Sequence, residues 1–204
     1  MSLAPIPLAP LETASSPSDV GHDEAVDAAG GPVVCAETLG SIVRGLAVAA
    51  TFWRPLGQHR HHERYSVRLL ATPAYDVWLI GWWPGQRVGC HDHGRAVGAL
   101  TVVEGALVDA TVVRPQGDRV GGRTHVERRL LRPGALRQLP ADLVHDVQNA
   151  GTVPATSIHA YSPPLTTMAF YGDDGEVLRQ EAVGDVPPVL VGSTGTTIHP
   201  SLRD

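Results

Sequence analysis

The chain has 204 residues, 43% of them hydrophobic, enough to bury one full core with tails left over. Its formal net charge of -5 offers no basic footprint, which argues against a nucleic acid as partner. Two cysteines, Cys35 and Cys90, are too few for a disulfide framework and suit a reducing compartment.

In chain order, residues 1–32 are rich in Pro, Ala, Ser and Gly with scattered acids, a composition that cannot offset its own ordering entropy. A disordered tail is expected there. The apolar run 3–11 lacks a basic residue before it and is broken by Pro5, Pro7 and Pro10, so it reads neither as a signal peptide nor as a membrane span. A cytoplasmic monomer with no membrane partner is the expectation. From Thr38 onward, Leu39, Ile42, Val43, Leu46, Ala50 and Trp53 recur at helical spacing and predict one amphipathic helix packed on the outside of the domain. His59, His61 and His62 lie in a polar connection with no dry pocket nearby, and they read as a solvated loop.

Residues 65–70 alternate as a strand, with Tyr65, Val67 and Leu69 on one face and Arg64, Ser66 and Arg68 on the other. Residues 76–83 form a buried strand whose Trp78, Trp82 and Trp83 read as core. Further strands are predicted at 100–103 and 106–113 around the turn Glu104-Gly105, then at 125–131, 136–139, 144–147, 155–161 and 166–171. This cadence of short strands and turns argues an all-β barrel spanning residues 33–178. Residues 179–204 are expected to be an extension, flexible or folded over the barrel.

His91 and His93 sit between two β-prone runs. Residues two apart on a strand share a face, so two imidazoles there form a chelating pair for a first-row transition metal, and Cys90 faces away from it. Taken alone, the pair reads equally as solvated histidines. With Gly85 and Gly105 around it, and with Gly134, Pro140, His145 and Asn149 further on, the spacing is similar to the two cupin motifs. Gly98 stands where the first motif usually carries a Glu ligand, and Asp142 where the second usually has Gly. The resemblance implies a cupin barrel (double-stranded β-helix) with three His ligands, His91, His93 and His145, and no carboxylate. Three neutral imidazoles leave the full dipositive charge on a ferrous ion, which favours an anionic sulfur ligand.

Ser157, His159 and Tyr161 alternate with Ile158 and Ala160, so all three project from one strand face. A Ser-to-His-to-Tyr hydrogen-bond chain fixes the imidazole tautomer and aims the phenol. Without the metal motif the same stripe reads as a polar core satisfying itself.

Together, His91-Asp92-His93-Gly94, the run from His145 to Asn149 and the run from Ser157 to Pro164 resemble the cysteine dioxygenase family over about residues 65–171. The resemblance implies Fe(II) as cofactor, L-cysteine and O2 as substrates and cysteine sulfinate as product. It also implies His91, His93 and His145 as ligands, Tyr161 as the phenol beside substrate and oxygen, Ser157 and His159 as its support, and a cis peptide at Ser162-Pro163. Gly98 occupies the position where animal-type members carry the Cys that forms a thioether with the active-site Tyr, so that cofactor cannot form here. Bacterial members resemble this chain in having Gly. The family's carboxylate-binding Arg lies two residues after a Tyr, whereas Arg68 lies three after Tyr65. Arg68 is the expected clamp ahead of Arg64, Arg87 and Arg95, because it lies deeper in the apolar run. Competing readings are a dioxygenase for another small thiol such as 3-mercaptopropionate, a non-enzymatic metal-binding cupin, and a metal-dependent isomerase, for which the Ser-His-Tyr run has no evident job.

Overall fold

The structure, a computed structural model, describes residues 31–113, 124–172, 176–184 and 187–189. The expected tail lies almost wholly outside these residues, as do the whole of the connection 115–123, whose Gly- and Arg-rich sequence reads as a turn, and the chain beyond residue 189. Two helices, α1 (Ala36–Val48) and α2 (Ala50–Trp53), and a 3-10 turn (Arg54–Leu56) precede ten strands. These are β1 (Tyr65–Ala71), β2 (Asp76–Trp82), β3 (Val97–Glu104), β4 (Leu107–Val113), β5 (His125–Leu131), β6 (Leu136–Leu139), β7 (His145–Gln148), β8 (Ala155–Ser162), β9 (Thr167–Tyr171) and β10 (Val177–Ala182). No described helix is long and apolar enough to cross a membrane.

One sheet runs β1-β2-β8-β3-β6, entirely antiparallel, and the opposing strands run β5-β4-β7 and β10-β9. At β2 and β8 the first sheet is buried on both faces, which explains why β2 reads as a nearly continuous apolar run. Its inner face carries Trp78, Trp82, Leu100 and Tyr161 against Leu107, Leu131 and Val147 from the opposing strands, filling the barrel. Its outer face carries Val67, Val77, Leu79, Ala99 and Ile158 against Leu39 and Val43 of α1. The all-β cupin barrel with a small N-terminal helical segment is therefore the architecture of this chain.

Two elements differ from the sequence reading. The single predicted helix breaks at Ala49, whose ψ of 54° leaves the helical region and lets Trp53 fold back so that its indole N–H donates to the Ala47 carbonyl at 3.2 Å. β10 has no counterpart in the sequence reading, because every one of its residues is exposed and no apolar alternation marks it. It is held by antiparallel pairing with β9, so the sequence-based boundary at 178/179 falls inside a strand.

Gly81 shows how tightly the barrel wall is wrapped. A Cβ added there would stand 1.8 Å from the Gln58 carbonyl oxygen, which is backbone and cannot rotate away. Gly81→Ala is expected to cost about 1–3 kcal/mol, read as a lower urea midpoint at unchanged slope.

Candidate active site

The residues from Pro84 to Ala96 do not form a regular strand, yet they place two histidines with little freedom. His91 and His145 exchange backbone hydrogen bonds at 2.9 Å in both directions. On the other side, the Tyr171 N–H donates to the Cys90 carbonyl at 2.9 Å and the Asp92 N–H to the Ala169 carbonyl at 3.0 Å. His91 thus bridges β7 and β9 and closes the gap in the second sheet. His93 reaches the same point from a tight turn, where Gly94 adopts a φ of 60° and its N–H donates to Asp92 Oδ1 at 2.9 Å. Shared strand geometry therefore accounts for His91 but not for His93.

Among the described residues, the imidazoles of His91, His93 and His145 form one group whose ligand atoms all lie within 4.8 Å of one another. All three residues are buried. Burial, and next the neighbouring histidines, push the His91 imidazole down to about 3 and the His93 imidazole well below its ordinary range, so both are neutral near pH 7 and keep a free lone pair.

The hydrogen bonds decide which nitrogen is free. A carbonyl only accepts, so His91 Nδ1–H donates to Gly89 O at 2.8 Å. His145 Nδ1–H donates to Asp109 Oδ1 at 2.7 Å. Both rings therefore present Nε2 as the lone pair. His145 Nε2 and both nitrogens of His93 are buried without any hydrogen-bond partner. Buried polar atoms left in this state are costly, and a metal ion bound by the three imidazoles would take the lone pairs of His145 Nε2 and of one His93 nitrogen, the other His93 nitrogen being an N–H.

A second constellation lies on β8. Ser157, His159 and Tyr161 are all buried and face the barrel interior. The indole N–H of Trp82 donates to Ser157 Oγ at 2.8 Å, Ser157 Oγ lies 2.8 Å from His159 Nε2, and His159 Nδ1 lies 3.1 Å from the Tyr161 hydroxyl. Indole nitrogen is only a donor, so Ser157 Oγ accepts from Trp82. A hydroxyl oxygen can accept twice and a neutral imidazole has two tautomers, so the Ser157–His159 and His159–Tyr161 bonds run in one sense or the other together with the His159 tautomer. In the tautomer protonated at Nδ1, His159 donates to the phenol oxygen and the Tyr161 O–H is free to donate into the cavity. Burial, and then His145, lower His159 to about 3, so it stays neutral with one donor and one acceptor. Burial, and then the charge of Asp76, raise the Tyr161 phenol, which stays protonated. Its ring centroid lies 4.8 Å from that of His93, beside the three-His group.

The cavity that these groups face has a volume of about 270 Å³ and is walled largely by apolar side chains, among them Trp78, Ile80, Val147, Leu165 and Phe170. His91, His145, His159, Tyr161, Arg64 and Glu181 supply its polar lining.

A family model described as cysteine dioxygenase type I matches residues 28–174. The chain belongs to that family. It is also similar to germin-like protein 4-1 of Oryza sativa subsp. japonica, 34% identical over 103 residues that make up 49% of this chain and 35% of the rice protein, so it spans about a third of that relative's length. Among solved structures, the TT1209 protein from Thermus thermophilus is 22% identical with a TM-score of 0.45, over 54% of this chain and 93% of its own. An oxalate oxidase in complex with the substrate analogue glycolate is 20% identical with a TM-score of 0.46, over 58% of this chain and 63% of its own.

For a cysteine dioxygenase family member, the arginines are placed unexpectedly. Arg68 is not among the residues lining the cavity. It pairs with fully buried Asp76, Nη2 to Oδ2 at 3.1 Å, and lies 5.5 Å from the centre of the Trp78 ring. Asp76 also accepts from the Trp78 indole N–H at 2.9 Å, so the Arg68–Asp76 pair braces a cavity wall. Arg64 lines the cavity instead, its guanidinium 5.4 Å from the Trp82 ring centre. Arg64 is exposed as well as lining the cavity. Arg87 is mostly exposed and pairs with Asp146 at 2.7 Å, and Arg95 is exposed.

Gly98 lies directly opposite Tyr161 in the β3–β8 register, and a Cβ there would stand 2.9 Å from Tyr161 Cδ1 and 3.1 Å from the Ala160 oxygen. The Ser162-Pro163 peptide is cis. Of the residues that sequence reasoning passed over, Asp109 was the most legible, a lone acid inside the apolar strand Leu107–Val113.

Replacing His91, His93 or His145 singly by Ala is expected to remove most bound metal, measured by elemental analysis of protein reconstituted with Fe(II) under anaerobic conditions. A second outcome concerns acid. The unfolded chain protonates its histidines near 6.5 and the folded chain protonates His91 and His159 only near 3, so the unfolded state binds more protons throughout that window. The urea midpoint of the metal-free protein should therefore fall as the pH drops from about 6.5 toward 4, and His159→Gln should flatten that dependence.

Proposed function

We propose that this protein is a mononuclear ferrous thiol dioxygenase that oxidises L-cysteine to cysteine sulfinate. The sum is RSH + O2 → RSO2H, with both oxygen atoms ending on sulfur. His91, His93 and His145 would hold the iron. When bound, ferrous iron lowers the thiol pKa and supplies the electrons by which dioxygen is activated.

The observation that carries this reading is that two imidazoles of the three-His group, His91 and His145, and a guanidinium without an ion-pair partner among the described residues line one largely apolar cavity. A ligand suited to it carries a metal-binding group and an anion on one short skeleton. Arg64 binds the carboxylate, replacing its hydration with a charge-assisted fork. With His159 protonated at Nδ1, Tyr161 accepts from His159 and donates its O–H to substrate or to incoming oxygen. Trp78, Ile80, Leu165 and Phe170 keep bulk water away. Glu181 lines the same cavity but is exposed and already paired with Arg179, so it does not separate L-cysteine from 3-mercaptopropionate. We assign the protein to the reducing cytoplasm, where Cys35 and Cys90, neither of them in a disulfide, would persist as thiols.

Oxygen-electrode assays of the Fe(II)-loaded protein with L-cysteine, 3-mercaptopropionate and cysteamine test the reading. Arg64→Ala should lose about 2 to 4 kcal/mol of transition-state stabilisation for L-cysteine, roughly 30- to 1000-fold in kcat/KM, and much less for cysteamine, which has no carboxylate. Arg68→Ala should instead lower stability and affect both substrates alike, because it strands Asp76 in the core. The assignment of Arg64 is wrong if its Ala variant treats L-cysteine and cysteamine identically.

A further inference from the structure

The three imidazoles of the metal-binding group differ in what stands behind them. His91 donates to an uncharged carbonyl, and His93 has no partner at either nitrogen. His145 alone donates to a carboxylate, that of Asp109, which is fully buried on β4. The other oxygen of that carboxylate is also taken. Arg137, on β6 in the facing sheet, donates from Nε to Asp109 Oδ2 at 2.8 Å and from Nη2 to Thr111 Oγ1 at 3.0 Å.

We infer that Asp109 and Arg137 are an opposed pair of positioning residues that set the donor strength of His145 toward its metal, Asp109 raising it and Arg137 restraining it. This rests on the metal-binding reading of the His group. A carboxylate accepting from Nδ1–H draws the imidazole toward imidazolate character and strengthens the lone pair on Nε2. The coordination sphere lacks a carboxylate of its own, so Asp109 returns a negative charge to it from one residue further out. Arg137 withdraws part of that charge by holding the other carboxylate oxygen. Its side chain is 16% exposed and also lines a polar surface groove with Arg44 and Arg129, so this chain of contacts runs from the surface to the Nδ1–H of a metal-binding imidazole.

The competing account is that Asp109 and Arg137 simply strap β4 to β6. A strap predicts that removing either partner weakens the fold in the same direction and leaves the metal's properties alone. The inference predicts opposite signs. Asp109→Asn keeps the shape but removes the charge, and should weaken Co(II) binding about 10- to 100-fold, followed by its visible absorption in competition with a chelator. Arg137→Gln removes the restraint and should tighten Co(II) binding. In the iron-loaded protein, the Fe(III)/Fe(II) midpoint potential should rise in Asp109→Asn and fall in Arg137→Gln.

Should Asp109→Asn fail to fold, the sign for Arg137→Gln decides: tighter Co(II) binding and a lower potential support the inference, and unchanged or weaker binding overturns it. Shifts of the same sign in two folded variants also overturn it. A wild-type protein that binds no Co(II) overturns both this inference and the metal reading on which it rests, whereas wild-type binding with unresponsive variants overturns the inference alone.

Discussion

Three buried imidazoles bring their ligand atoms within 4.8 Å of one another without satisfying one another's nitrogens. An unpaired buried polar atom costs about 1–3 kcal/mol, so an arrangement that leaves three such nitrogens in one place is held together by the rest of the fold. The backbone does much of that holding. His91 is stitched to β7 on one side, and its chain neighbours Cys90 and Asp92 are tied to β9 on the other. Asp92 also accepts from the Tyr171 hydroxyl, which pins the turn between the two histidines. The sheet closes only if the ligand-bearing segment is in place, so the integrity of the barrel and the geometry of the site are one constraint.

The polar residues on β8 form one connected chain inside the barrel. Trp82 donates to Ser157, Ser157 meets His159 and His159 meets Tyr161, so the imidazole and the phenol are held in position before a ligand arrives. The His159 tautomer sets the sense of donation along the last two contacts, since a hydroxyl can accept twice. Burial keeps His159 neutral and the phenol protonated.

Much of this was legible in the sequence, and the failures have identifiable physical causes. Strand alternation correctly puts Ser157, His159 and Tyr161 on the interior face of β8, with Ile158 and Ala160 turned to the helix side. It also puts Arg64, Ser66 and Arg68 on one face of β1. Period two says which residues share a face, however, and says nothing about how far along the barrel axis the cavity lies. Arg68 stands level with Trp78 and is captured by Asp76, while Arg64, one residue before the strand begins, reaches the cavity. Trp82 reads as core, which it is, yet its N–H is also the anchor of the site. Periodicity reports the burial of a side chain and not the direction of its one polar bond. β10 carries no apolar signature because both its faces are exposed, and only its pairing with β9 makes it a strand.

Gly98 limits how this site could be remade by mutation. Its missing side chain leaves the Tyr161 ring so close that even a methyl group would intrude at 2.9 Å. A cysteine introduced there to bond the tyrosine would first have to displace the ring it is meant to capture, and with it the 3.1 Å contact between the phenol and His159. Within this backbone spacing, close packing plus a hydrogen-bond relay and a covalent tether are rival ways of holding one phenol. Passage between them requires at least two coordinated changes, one at position 98 and one that widens the gap between β3 and β8. A lineage that has settled into the glycine form is therefore separated from the tethered form by an intermediate in which the phenol is held by neither device.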